Sequence, residues 1–357
     1  MAERITGAKS ALQRLERCYS NGNVSWEQCF QPRWERGNFA SRYHLVYPGL
    51  AFWVLLRAEP RRAAALRPML DAMYRGLLEP RCWDYWHSEL NEETWPLQER
   101  NLTYAGRLAS FTGFYIDAFG VPPSETIRIE NHIATYSELS ENLWAQMKSS
   151  PSCGVTCYGH TSMVMCNAHL LINNILHDRL FGTRFAVANE KWLANVEANL
   201  VNHSDDGSLF YYGTKPHSGE RNEADRSDGM DIWALFLMSA VVPDRVRTWF
   251  GDWQSRIRRD EDRAWVEIPS RETKGELSST PLATAWAFCL AKELGQTPLA
   301  LALGRTLELE IAEGFKLDPL LSGLYLLGDT LREGAFRDLV VGTNSCDTST
   351  RPQQALG

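Results

Sequence analysis

The chain has 357 residues, 44% of them hydrophobic and 23% charged, with a formal net charge of −7 and a pI near 5.7. That balance leaves enough apolar side chain for a large interior and excludes a phosphate-backbone ligand, because nucleic-acid binding needs a basic face. No window reaches about 18 uncharged apolar residues and the first ten residues lack the apolar segment of a signal peptide, so a cytoplasmic protein without a membrane span is expected.

Apolar residues at three-to-four spacing predict helices over 4–18, 39–58, 61–78, 97–120, 124–148, 161–181, 185–202, 231–241, 243–257, 281–294, 297–313 and 318–341. Breaks fall where punctuation is strong: Glu59-Pro60, Glu79-Pro80, Gly120 to Ser124, Val242-Pro243-Asp244, Gly295 and Asp318-Pro319. Ser124 followed by Glu125, and Thr297 followed by Pro298, read as helix starts, and Pro48 should kink or start its helix. A dozen helices joined by short turns suggest antiparallel hairpins closed into a double ring, an all-α (α/α)6 barrel over 1–342 with a frayed polar tail at 343–357. In such a ring one rim carries the longer loops that build a site, here 82–96, 149–160, 203–230 and 258–280.

The densest chemistry lies in Cys153-Gly-Val-Thr-Cys157-Tyr158-Gly-His160-Thr-Ser-Met-Val-Met-Cys166-Asn167-Ala-His169. Cys157 falls in the loop above a helix start and Cys166 just inside the helix, where the dipole lowers a thiol pKa. Packed, inert cysteine is the competing explanation, and a zinc set of Cys153, Cys157, His160, Cys166 and His169 lacks the paired spacings of known structural sites. Eight scattered cysteines do not form a disulfide framework, so thiols are expected throughout. Tyr43 and Tyr47 lie four apart on one helix face. Tyr211 and Tyr212 follow Gly207 in a long loop, and Asp231 reads as an N-terminal cap or dipole partner more readily than as an acid.

The run from Cys157 to Asn167, followed by Asp178-Arg179-Leu180-Phe181-Gly182-Thr183 and Trp192-Leu193, resembles the linalool dehydratase-isomerase family. A second stretch agrees in register: Trp83 and Trp86, then Pro96-Leu97, Asn101-Leu102, Tyr104, Gly106 and Leu108. Weaker similarity runs through Gly207–Pro216 and Leu282–Glu293, so the likeness spans most of the chain. It implies an (α/α)6 barrel, a ring-like homo-oligomer, no cofactor or metal, and a deep apolar pocket for a small apolar substrate. It also implies that Cys157 and Cys166 are catalytic, with Tyr43 or a neighbour reaching the substrate, and that Trp83, Trp86, Asn101, Tyr104, Tyr47, Tyr211 and Tyr212 line it.

Family members protonate an allylic hydroxyl and withdraw a proton elsewhere, which a dry aromatic pocket assists. Arg107 stands where the family has a catalytic His; a guanidinium is no base but can clamp a carbonyl or carboxylate, and His160 is the candidate replacement base. Exported members link early segments comparable to those of Cys29 and Cys82, which are expected here as thiols. The leading reading is a cofactor-independent dehydratase, isomerase or cyclase for a terpenoid-like intermediate. A pericyclase-like catalyst polarising a conjugated substrate through Arg107 stands beside it. So do a glycoside hydrolase or lyase using Asp84 with Glu89 or Asp225 with Asp231, and a non-catalytic apolar-ligand binder.

Overall fold

In the computed structural model, which describes residues 4–29, 41–88, 90–157, 161–203, 209–211, 213–215, 218, 220–221, 227–268, 279–312 and 319–342, helices come in pairs along the chain. These are α1 (Arg4–Tyr19) and α2 (Tyr43–Ala58), α3 (Ala63–Leu77) and α4 (Leu102–Phe119), α5 (Tyr136–Ser149) and α6 (Val164–Phe181). Then follow α7 (Asn189–Asn195, continued by a π turn at Val196–Leu200) and α8 (Asp228–Ser239), α9 (Pro243–Trp253) and α10 (Thr280–Glu293), α11 (Thr297–Ala312) and α12 (Pro319–Thr330). Odd-numbered helices keep a polar face toward solvent, whereas even-numbered ones are buried along most of their length. That alternation is what a two-layer ring demands, since an inner helix touches protein on every side. Each even helix packs on the next, and α12 closes on α2, giving the (α/α)6 barrel.

Six inner helices running the same way put their N-termini at one end. That end receives the long connections, including 78–101, 150–163, 201–227 and 254–279. The opposite end is closed by α13 (Ala335–Val341), whose Phe336 stacks on Phe236 at 4.8 Å and meets Phe114 at 6.5 Å. Pro48 is the sixth residue of α2 rather than its start, and the carbonyl its missing N–H would have engaged, that of His44, accepts instead from the Tyr19 hydroxyl.

Two helix expectations are corrected. Residues 124–134 do not begin α5: β1 (Ile127–Ile129) and β2 (His132–Ala134) form a hairpin around Glu130 at φ +55°. Helix α5 starts after Thr135, in a capping box with Glu138 that supplies a stronger start than Ser124-Glu125. The stretch 318–341 is two helices, because the chain turns at Gly334 with φ +72°.

Glu293 ends α10 and accepts from Phe336 N at 2.8 Å and Arg337 N at 3.0 Å, tying down the plug. Burial raises its carboxyl to about 7, against the pull of those two N–H groups. The folded protein therefore holds a proton there that the unfolded chain releases near its ordinary value of 4.5. The resulting stability is present in full below about pH 4.5 and is lost as pH rises through 7, an effect on the order of 3 kcal/mol. Unfolding free energies of the wild type and Glu293→Gln, compared from pH 5 to 8, should converge on different slopes, the wild type falling more; parallel slopes would remove Glu293 from the pH response.

Candidate functional site

At the N-terminal end of the inner ring the loop from Val155 to Cys157 is laid across two helix starts. Leu102 N and Thr103 N, unpaired within α4, donate to Thr156 O at 3.0 Å and Cys157 O at 3.3 Å. Asn167, one position past Cys166 in α6, accepts from Val155 N at 2.8 Å and donates to Val155 O at 3.1 Å and Met163 O at 2.9 Å. Those bonds bring Cys157 and Cys166 to a Cα separation of 6.1 Å, and the structure joins them as a disulfide. The sequence leads one to expect free thiols at both positions; the structure instead sets the two sulfurs against each other, because the backbone bonds that seat the loop also seat them. Cys82 remains a thiol, donating to Gly76 O, and the Cys29 side chain lies outside the described residues.

Arg107, on the first turns of α4, is fully buried beside this pair. Its Nη1 donates to Thr103 O at 2.7 Å and Thr103 Oγ1 at 3.2 Å and lies 3.8 Å from Cys166 Sγ. The guanidinium sits over the rings of Tyr43, at 4.6 Å, and Trp233, at 5.3 Å. Its Nε and Nη2, and the indole Nε1 of Trp233, are buried donors that make no well-aligned hydrogen bond among the described residues. Arg42 also approaches Tyr43, with Nη2 3.2 Å from Tyr43 Oη and 3.1 Å from Thr103 Oγ1.

The two tyrosines predicted on one face do share the site, in opposite surroundings. Burial would raise the Tyr43 phenol, but Arg42 and Arg107, with hydrogen bonds from Thr103 and Arg42, outweigh it and hold the group below its ordinary value. Burial dominates at Tyr47 and pushes its phenol far up, although Arg107 and Trp233 pull the other way. Tyr47 Oη lies 2.9 Å from His169 Nε2. Burial, then Arg107, keep His169 well below its ordinary value and hence neutral.

Its tautomer follows from its partners. Ser110 donates its proton to Arg107 O at 3.2 Å, so it accepts from His169 Nδ1 at 3.1 Å, which leaves Nε2 as the acceptor of the Tyr47 hydroxyl. Trp233 stacks on Trp286 at 5.5 Å and both present an edge or face to Tyr47, completing an aromatic wall.

Of the predicted residues, Tyr43, Tyr47, Arg107, Cys157 and Cys166 therefore meet. Trp83, Trp86, Asn101 and Tyr104 each bind main chain through a polar atom: Leu78 O at 3.0 Å, Thr94 O at 2.8 Å, Pro96 O at 3.1 Å and Leu77 O at 2.8 Å respectively. Asn101 also accepts from Tyr85, whose ring lies under Arg42. Tyr211 borders a cavity of about 10 Å³, room for one water, together with Val164, Met165, Met230, Asp231 and Ala234. This is far short of the deep pocket expected. His160 and Tyr212, like Glu89 and Asp225 of the carboxylate alternative, lie outside the described residues.

Asp231 is not the helix cap but lies in the first turn of α8, where an acid suits the helix dipole. Ser227 accepts from Met230 N, while the Asp231 carboxylate accepts from Leu209 N at 2.6 Å and Phe210 N at 3.3 Å and so fixes the strand leading to Tyr211. Among the described residues no group of three or more His, Cys, Asp or Glu side chains could hold a metal ion, and His160 of the zinc alternative lies outside them. His169, Ser110, Arg42 and Trp233 were missed as site residues. The signal available for His169 was its place three residues after Cys166, on the same helix face.

A family profile described as linalool dehydratase/isomerase matches residues 42–316. Among solved structures, an unsaturated glucuronyl hydrolase specific for heparin is similar with a TM-score of 0.55 at 12% identity, over 91% of this chain and 95% of that one. A family 76 glycoside hydrolase from a bovine Bacteroides thetaiotaomicron strain gives 0.55 at 10% identity, over 91% and 76%. An inactive variant of an alpha-1,6-mannanase from a Salegentibacter species, in complex with alpha-1,6-mannotetrose, gives 0.53 at 13% identity, over 91% and 98%. At such identities the likeness concerns the barrel alone.

Proposed function

The chain belongs to the linalool dehydratase/isomerase family, and from that premise we propose a lyase or isomerase that moves protons on a largely apolar, terpenoid-like intermediate with its own side chains. The observation that carries this reading is the split pair Tyr43 and Tyr47. Two phenols one turn apart are driven in opposite directions by their surroundings, which is the arrangement that assigns an acid and a base within one site.

Tyr43 releases its proton more readily because two guanidinium groups receive the phenolate. Tyr47 keeps its own on the neutral His169, and can pass a proton inward to Nε2 while taking one from the substrate. The stacked indoles of Trp233 and Trp286 form a dry, flat wall beside Tyr47, a surface suited to an unsaturated skeleton should the site open to one. Cys157 and Cys166, with their sulfurs side by side and Cys166 Sγ 3.8 Å from Arg107 Nη1, stand at the edge of the same cluster.

Mass spectrometry of extracts from a host lacking only this protein tests the reading. The accumulating compound, given to purified protein, should yield a product of equal mass or one lighter by a single water. Tyr43→Phe and Tyr47→Phe should each slow that conversion by about 10²–10⁴-fold with the helical circular dichroism unchanged. Conversion that changes the substrate's oxidation state, or full activity in both variants, would overturn it.

A further inference from the structure

Among the described residues, the surroundings of Arg107 are rich in positive charge and in donors. Two guanidinium groups, those of Arg42 and Arg107, lie against one tyrosine ring. Arg107 Nε, Arg107 Nη2 and Trp233 Nε1 are buried donors that make no well-aligned hydrogen bond among the described residues, the Tyr47 hydroxyl lying at the edge of reach of both side chains. Among the described residues no carboxylate pairs with Arg107, and the imidazole of His169 near it is neutral. The six inner helices add the positive ends of their dipoles to the same side. Three such donors on two adjacent side chains, two of them on one guanidinium, suit a ligand acceptor oxygen.

We propose that Arg107 receives a carbonyl or carboxylate oxygen of the substrate, so that the substrate is an unsaturated carbonyl compound and the reaction runs through an oxyanion rather than an allylic cation. This rests on the proton-transfer reading of the site and narrows it. The carbon–hydrogen bond conjugated with the carbonyl breaks, its electron pair moves through the double bonds onto the oxygen, and Arg107 holds the resulting enolate. The departing proton goes to Tyr47 Oη as the Tyr47 proton passes to His169 Nε2. The imidazolium so formed is balanced by the enolate, and the pair adds no net charge beside Arg107. Return of the proton to a different carbon restores neutral His169 and shifts the double bond, with no oxidant or reductant consumed.

Three ten-carbon probes on one skeleton separate the possibilities: geranic acid, methyl geranate and geraniol, titrated calorimetrically into the wild type, Arg107→Met and Arg107→Lys. The wild type should bind the acid and the ester at least about tenfold more tightly than the alcohol, as expected for loss of a buried charge-assisted hydrogen bond. Arg107→Met should bind all three within about threefold of one another, and Arg107→Lys, keeping the charge without the fork, should retain a preference for the acid only. Equal binding of geraniol by the wild type, or a preference that survives in Arg107→Met, overturns the carbonyl assignment. The first of those outcomes leaves the lyase or isomerase reading standing, because that reading is decided by the mass of the product formed from the accumulating compound. Failure of all three probes to bind overturns the assignment of this substrate class to the site.

Discussion

Replacing Arg107 by Met is expected to lower turnover about 10²–10³-fold, the cost of removing an oxyanion donor, without loss of fold stability. A unit charge about 5 Å from a guanidinium feels roughly 3 kcal/mol at an effective dielectric of 20, which favours an anion and penalises a cation by two orders of magnitude. The same charge is a liability when no ligand is present. Arg107 is fully buried and no ion pair joins it to a carboxylate among the described residues; its bonds go to Thr103 O, Thr103 Oγ1 and the Cys166 sulfur. A methionine fills nearly the same volume, keeps the contact with Tyr43 and Trp233, and removes the desolvated charge, so stability should hold or rise by about 1–2 kcal/mol. Chemical denaturation and steady-state kinetics on the same preparation decide it. A loss of more than about 2 kcal/mol would make Arg107 a structural residue, and turnover within threefold of wild type would remove it from the reaction.

Gly323→Ala should be among the most damaging single changes to the barrel, costing about 3 kcal/mol. Gly323 lies on α12 where that helix closes the ring against α2. A Cβ there would fall 2.8 Å from Pro48 Cα and 2.9 Å from Pro48 N. The obstructing atoms are main chain, so no rotamer relieves them and the two helices must part. Separation at that seam loosens α2, which carries Tyr43 and Tyr47, so activity should fall with stability.

Gly251→Ala is the control. It sits in the outer helix α9 with nothing within 4 Å of the added methyl, and should gain about 0.5–1 kcal/mol from the helix preference of alanine. Urea unfolding of both variants should therefore show shifts of opposite sign from the same chemical change. A Gly323→Ala protein as stable as wild type would mean that α2 and α12 do not close at this position.

Most of the ring was legible as pattern. The runs at 43–58, 102–119, 164–181, 228–239, 280–293 and 319–330 read as apolar on all sides because an inner helix of a double ring is packed on every face. The predicted helix over 124–148 failed at its start because a two-residue alternation, Ile127-Arg128-Ile129, imitates part of a helical stripe over so short a span. Only the pairing with His132–Ala134 reveals the hairpin.

Sequence alone determined the helices of the ring and the shared face of Tyr43 and Tyr47, consequences of spacing within single segments, while the pairing of the two cysteines was legible only through family resemblance. Tertiary structure decided what those groups are chemically. Tyr47 meets His169 across 122 positions, Ser110 meets it across 59, and Arg107 lies beside Cys166 at the same separation, so no local pattern records these pairings. Charge, tautomer and proton affinity depend on burial and on the sign of the nearest neighbour. Neighbours across a closed ring are set only when α12 reaches α2.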